Sequence, residues 1–168
     1  MPVIRPDLLL LWPAYTLFPL IGLGVLIVGV SGGDGVMVAI GLGLLAMNAL
    51  TVLNHAYFTR LGIEGDELVH RTLFGLSVQR VPVGSLRRID AKRYAGAHAG
   101  VSAPHFVARG RDANVKVNTK PYRLRDFAPL IETLRRANAG VELDPFWARV
   151  AAGEDASKEA ALTPRSRW

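Results

Sequence analysis

Four histidines and a surplus of arginine carry whatever chemistry this chain can do. His55 closes a long apolar run, where an imidazole can ligate a haem or a chlorophyll-type pigment, or simply hydrogen-bond to headgroups or a neighbour. His70, His98 and His105 have neither metal-ligand nor triad spacing, and His70 falls on an alternating strand pattern. The chain has no Cys, which excludes disulfides, thiolate catalysis and Cys-based zinc or iron–sulfur sites. Asp66, Glu67 and Asp112 sit in turn sequences, and no Gly-rich segment follows a strand and opens a helix to cradle phosphate. These residues point to binding rather than catalysis. No enzyme activity, small-molecule substrate, metal or cofactor is expected, with His55 the one candidate cofactor ligand.

The cations cluster in two stretches: Arg87, Arg88, Lys92 and Arg93, then Arg109, Arg111, Lys116, Lys120, Arg123 and Arg125. Sixteen of the chain's 20 Lys+Arg are Arg, the residue suited to bidentate contact with carboxylate or phosphate. Anionic phospholipid headgroups attract such residues by about 1 kcal/mol each near the surface. A partner's acidic face would attract them too, and a solvated, topology-setting surface is the third reading. Nucleic acid is not an expected partner, because no stacking aromatics interleave with the arginines.

What positions these residues is unevenly distributed. Residues 1–59 hold only Arg5, Asp7 and Asp34 as charges, whereas residues 60–168 hold 19 Lys+Arg against 12 Asp+Glu. From Leu8 to Gly33 and from Gly35 to Thr59 there is no charge at all. A bilayer core takes roughly 20 apolar helical residues, so residues 1–59 read as a transmembrane hairpin with spans at about 8–30 and 36–58. Ser31-Gly32-Gly33-Asp34-Gly35 is its turn, since a carboxylate belongs at a water interface. Arg5 precedes the first span and Arg60 follows the second, which puts both termini in the cytoplasm and makes the chain a multi-pass membrane protein. Trp12, Tyr15 and Tyr57 fit one interface as aromatic anchors. Pro13 and Pro19 should bend the first span. Ala39, Gly43 and Ala46 form a small-residue face on the second, suited to helix contact within the hairpin or with another protein.

After Arg60 the hydrophobic period changes to alternation. Thr59–Gly65, Glu67–Phe74 and Leu76–Val83 read as strands, followed by Leu86–Tyr94, His105–Arg109 and Val115–Thr119, with Ala95–Pro104 a loop. Phe127, Leu130, Ile131 and Leu134 mark an amphipathic helix that Asp126 caps and Gly140 ends. A second short helix runs from Asp144-Pro145 to about Ala151, and Gly153–Trp168 is a polar tail.

The segments Thr59–Gly75 and Arg80–Ile89 and the helix Asp126–Asn138, behind a two-helix hairpin, resemble bacterial pleckstrin-homology-like membrane proteins over about Leu8–Val141. The resemblance implies an α+β chain: a transmembrane hairpin, then a PH-like domain over residues 60–140, a seven-stranded antiparallel barrel or sandwich closed by a C-terminal amphipathic helix, with 141–168 as a short helix and tail. Six strands are legible, so one is left to find. Phosphoinositide-binding members of the eukaryotic fold use a basic first hairpin, but Ile63–Glu67 is acidic here, which counts against that ligand. The resemblance also implies an accessory or assembly role beside other membrane proteins, respiratory or photosynthetic complexes among them. An anionic-lipid-sensing module is the alternative. The candidate partner- or lipid-binding face is Arg87, Arg88, Lys92, Arg93, Arg109, Arg111, Lys116 and Arg123.

Overall fold

The computed structural model describes residues 2–92 and 104–156. Arg93, His98 and most of the Ala95–Pro104 loop lie outside the described residues, as does the tail beyond residue 156. The chain starts with a short strand, β1 (Val3–Ile4), and enters the first long helix, α1 (Trp12–Gly32), through a tight turn over Leu8–Leu11. Asp7 caps that turn by accepting from the Leu9 N–H at 2.9 Å. Gly33 adopts the left-handed conformation (φ 66°) that ends α1, and Asp34 at once caps α2 (Gly35–Leu53), accepting from Val36 N–H at 2.9 Å and Met37 N–H at 3.2 Å. Only Gly33 and Asp34 separate the two helices, so the five-residue turn read from sequence shrinks to two. Leu8–Gly32 and Gly35–Phe58 are each long and apolar enough to cross a membrane, and their apolar side chains are largely exposed. Pro13 sits in the first turn of α1, where no backbone bond is lost, so of the two prolines only Pro19 lies in the helix interior.

α2 runs into a wide turn over Asn54–Phe58, closed by Thr59 N–H on the Asn54 carbonyl at 2.8 Å. From there the chain makes β2 (Arg60–Glu64), β3 (Glu67–Thr72), β4 (Ser77–Pro82), β5 (Arg88–Lys92), β6 (His105–Arg109) and β7 (Asn114–Asn118). Helix α3 (Phe127–Ala137), strand β8 (Glu142–Leu143) and helix α4 (Pro145–Ala151) complete it. The strands form two four-stranded sheets, β1-β2-β3-β4 and β7-β6-β5-β8, antiparallel except for the parallel β5–β8 pair. Eight β segments are thus described where the resemblance implies seven. β1 and β8 escape sequence reading because two residues show no period. The third and second predicted strands are shortened, because Leu73–Leu76 form the turn between β3 and β4.

Alternation puts Ile4, Leu61, Ile63, Leu68 and Val81 of one sheet against Ile89, Phe106, Ala108, Val115 and Val117 of the other. The α3 stripe Phe127, Leu130, Ile131 and Leu134 is fully buried against them, as the helical spacing requires. Asp126 makes no side-chain capping bond, and α3 stops at Ala137, three residues before Gly140, with Asn138 as its cap. The Asn138 amide donates to Val83 and Leu86 carbonyls at 3.0 and 2.9 Å, tethering that end of the helix. Beyond residue 140, Phe146, Trp147 and Val150 of α4 are buried in the same core. Trp147 packs on Phe106, Phe127 and Phe146 and donates its indole N–H to the Asp90 carbonyl at 3.0 Å.

Candidate functional site

The sandwich has a near end, which receives the two long helices, and a far end. The near end is held on both sides. Asp7 N–H donates to the Pro121 carbonyl at 2.6 Å, and the Asp7 carboxylate pairs with Arg123. On the opposite side the buried Asn54 accepts from the Phe74 N–H at 2.7 Å through its side-chain carbonyl, and the Phe58 and Phe74 rings meet at 5.2 Å.

Between these clamps lies a cleft of about 290 Å³ lined by Leu11, His55, His70, Asn118, Lys120 and Tyr122, among others. His55 engages Tyr15 of α1 through Nδ1, so the hydrogen-bonding neighbour of this histidine comes from the other long helix. His70 points to the core side of β3, opposite Leu61 and Gln79, and is nearly buried. Burial pushes its imidazole down to about 4, which keeps it neutral. Tyr122 is buried beside it, and burial raises its phenol well above the usual value. Neither His70 Nδ1 nor the Tyr122 hydroxyl has a hydrogen-bond partner among the described residues. Among the described residues no three His, Asp or Glu groups converge as metal ligands.

The arginine-rich face is built by the outward side of the second sheet. Arg88, Lys92, Arg109 and Lys116 share that side, because Arg88 is paired with Arg109 in register and Lys116 with Val107. Asp90 sits among them and forms ion pairs with Arg88, at 2.6 Å, and with Arg109. Arg87, Arg88 and Arg111 border an open hollow of about 550 Å³ at the far end, with Asn138 and Glu142 on its other wall. Arg123 is not part of this face; it belongs to the near end and is held by Asp7. The strands therefore sort the basic residues. Arg87, Arg88, Arg109 and Arg111 gather at the far end, whereas Lys92 ends β5 at the near end and Lys120 borders the cleft.

The exposed ion pairs on the first sheet, Arg60–Glu64 at 3.3 Å, Arg71–Glu64 at 2.6 Å and Arg80–Glu67 at 3.4 Å, occupy its outer side. Hydrogen bonding from Arg71 lowers the Glu64 carboxyl below its ordinary value. The acidic first hairpin is thus partly neutralised by its own sheet.

Ala39, Gly43 and Ala46 are all exposed, and a side chain added at Gly43 would meet open space. They lie away from α1. The close approach within the hairpin is made instead by Gly22, Gly29 and Gly41: a Cβ at Gly29 would come within 2.6 Å of Val38 N, and one at Gly41 within 2.7 Å of Leu26 N. The i, i+7 spacing of Gly22 and Gly29 was the available signal for that contact. Asn54 and the Leu73–Leu76 turn also went unassigned as site residues; their signal is an apolar Leu-Phe-Gly-Leu run where a turn should carry Asn, Asp or Pro.

No protein-family model, curated protein or solved structure matches the chain. Function therefore has to be argued from this geometry.

Proposed function

We propose that the protein is a non-catalytic adaptor of the PH-like kind, held in a bacterial inner membrane by the α1–α2 hairpin with both termini cytoplasmic. Its arginine-rich far end docks on an acidic face of another membrane protein, in the manner of an accessory subunit or assembly factor of a larger membrane complex, respiratory or photosynthetic. One observation carries the choice over lipid sensing: the position of Arg87, Arg88, Arg109 and Arg111 at the end of the sandwich away from the helices. Four residue steps of extended strand separate Arg88 from Lys92, about 13 Å. Screening at physiological salt acts over about 8 Å, so headgroups of the chain's own bilayer attract those arginines little. The two-sided clamp on the near end supports the same reading, since a lipid reader needs only a slack tether and a scaffold needs a fixed orientation.

Affinity purification of the full chain in mild detergent tests this. A protein should co-purify at moderate salt, and Arg87→Glu with Arg111→Glu should release it while Lys120→Glu does not. Loss through Lys120→Glu alone, or binding to anionic vesicles with no protein partner, would transfer the assignment to lipid sensing.

A further inference from the structure

We propose that the turn between β3 and β4, Leu73–Leu76, enters the membrane–water interface beside the end of α2 and makes a third contact with the bilayer. The inference rests on α1 and α2 spanning that bilayer.

Three observations converge on this turn. Its side chains are apolar and outward: Leu73 is 59% exposed, Phe74 42% and Leu76 88%, in a stretch that needs no such residues for the core. Its backbone is a poor host for them. Leu73 and Phe74 stand at φ 50° and 56°, with Gly75 at 82°, and a left-handed backbone strains every residue with a Cβ. Asn or Gly would relax this turn, so Leu and Phe are placed there against local preference, the pattern expected where a side chain has work to do outside the fold.

The third observation fixes depth. Phe74 N–H donates to the Asn54 side-chain carbonyl at 2.7 Å, and Asn54 lies four residues inside the end of the second span at Phe58. That segment is the wide turn over Asn54–Phe58, which rises less per residue than an α-helix, so Asn54 lies less than about 6 Å inside the end of the span. The turn is therefore held level with the last turn of the span, where exposed Tyr57 and Phe58 already supply an aromatic belt. The Phe58–Phe74 ring contact makes that belt and the turn one continuous apolar surface. This continuity selects lipid as the occupant. Thr72 and Ser77 flank the turn as polar stops, and the turn itself holds no charge that the interface would repel.

The absence of cysteine allows a direct depth measurement. Full-length protein carrying Leu76→Cys, Leu50→Cys or Arg111→Cys is labelled with a nitroxide and reconstituted into phosphatidylethanolamine/phosphatidylglycerol vesicles. Collision with oxygen and with a water-soluble nickel chelate is then read for each. The label at position 76, like that at 50, should favour oxygen several-fold more than the label at 111. Position 50 lipid-like with 76 water-like overturns the inference and leaves the spanning reading intact. Position 50 in water overturns both. Position 76 shielded from both reagents means protein covers the turn, which also overturns lipid as its occupant. Leu76 is the most exposed residue of the turn, so its replacement leaves the core unchanged.

Discussion

Arg123 donates to the carboxylate of Asp7 across 116 positions of sequence. The bond joins the connector in front of α3 to the last residue before the long apolar helices begin. The same aspartate caps the Leu8–Leu11 turn and gives its N–H to the Pro121 carbonyl, so one residue sets both the entry of α1 and the seat of the domain. β1 adds a second tie, pairing Ile4 with Leu61 just past the exit of α2. The domain is thereby gripped by chain segments on both sides of the hairpin.

The Asp7–Arg123 pair is partly shielded, with 17% and 30% of the side chains exposed. Its coupling should be about 1 kcal/mol, at the upper end for ion pairs near a surface. Asp7→Asn, which keeps an oxygen for Leu9, and Arg123→Gln should each lower stability. Thermal unfolding of the two single variants and the double variant in detergent should give a coupling of that size. Additive losses would show that the pair is incidental.

The two long helices and α3 were legible because each follows a simple pattern: unbroken apolarity for the long helices, and i, i+3, i+4, i+7 for Phe127, Leu130, Ile131 and Leu134. The six longer strands were legible as alternation. β1 and β8 were not, since two residues have no pattern, and their pairing is decided by what lies beside them. The arginines were legible as a cluster but not as two groups. Only the register of β5 with β6 puts Arg88 and Arg109 together at the far end and Lys92 at the other. The clamp through Asn54 was hidden for another reason: an amide inside an apolar run advertises an interhelical bond, whereas here it serves a β-turn.

Gly41 and Gly43 should respond oppositely to substitution. A Cβ at Gly41 would stand 2.7 Å from Leu26 N, which only separation of the helices can relieve. Gly41→Ala should cost about 1–3 kcal/mol, as overpacking does. Gly43→Ala meets open space and should be neutral or slightly stabilising through helix propensity. Melting temperatures in one detergent compare the two directly, and equal effects would refute the close approach at Gly41.

Trp147 should be as costly to lose as any core residue, although it lies beyond the boundary a sequence reading sets at residue 140. It is fully buried, meets three phenylalanine rings, two of them edge-to-face, and bonds to the Asp90 carbonyl. Trp147→Ala should destabilise the domain by about 3–5 kcal/mol. A chain ended after residue 140 should lose protease resistance in the sandwich, and one ended after residue 156 should keep it. A resistant shorter chain would show that α4 is peripheral.

His70 should make the domain sensitive to acid. Burial lowers its folded-state value from 6.5 to about 4, so the unfolded chain binds the proton more readily than the folded one between those limits. The stability due to its neutral form is complete above about pH 6.5 and is lost as pH falls towards 4. Among the described residues, the groups facing it across the cleft, His55, Lys120 and Tyr122, include no carboxylate that would stabilise an imidazolium. At about 1.4 kcal/mol per unit the full loss is on the order of 3 kcal/mol. Chemical unfolding of the reconstituted protein, followed by near-ultraviolet dichroism at pH 7.5 and 4.5, measures the drop. Because other carboxylates titrate too, the diagnostic quantity is the difference between the native chain and His70→Leu. The variant removes an imidazole whose Nδ1 has no partner and should lose markedly less stability over that interval. The same pH dependence in both proteins would mean that His70 is protonated in place without cost, and that the near end admits water more freely than its burial implies.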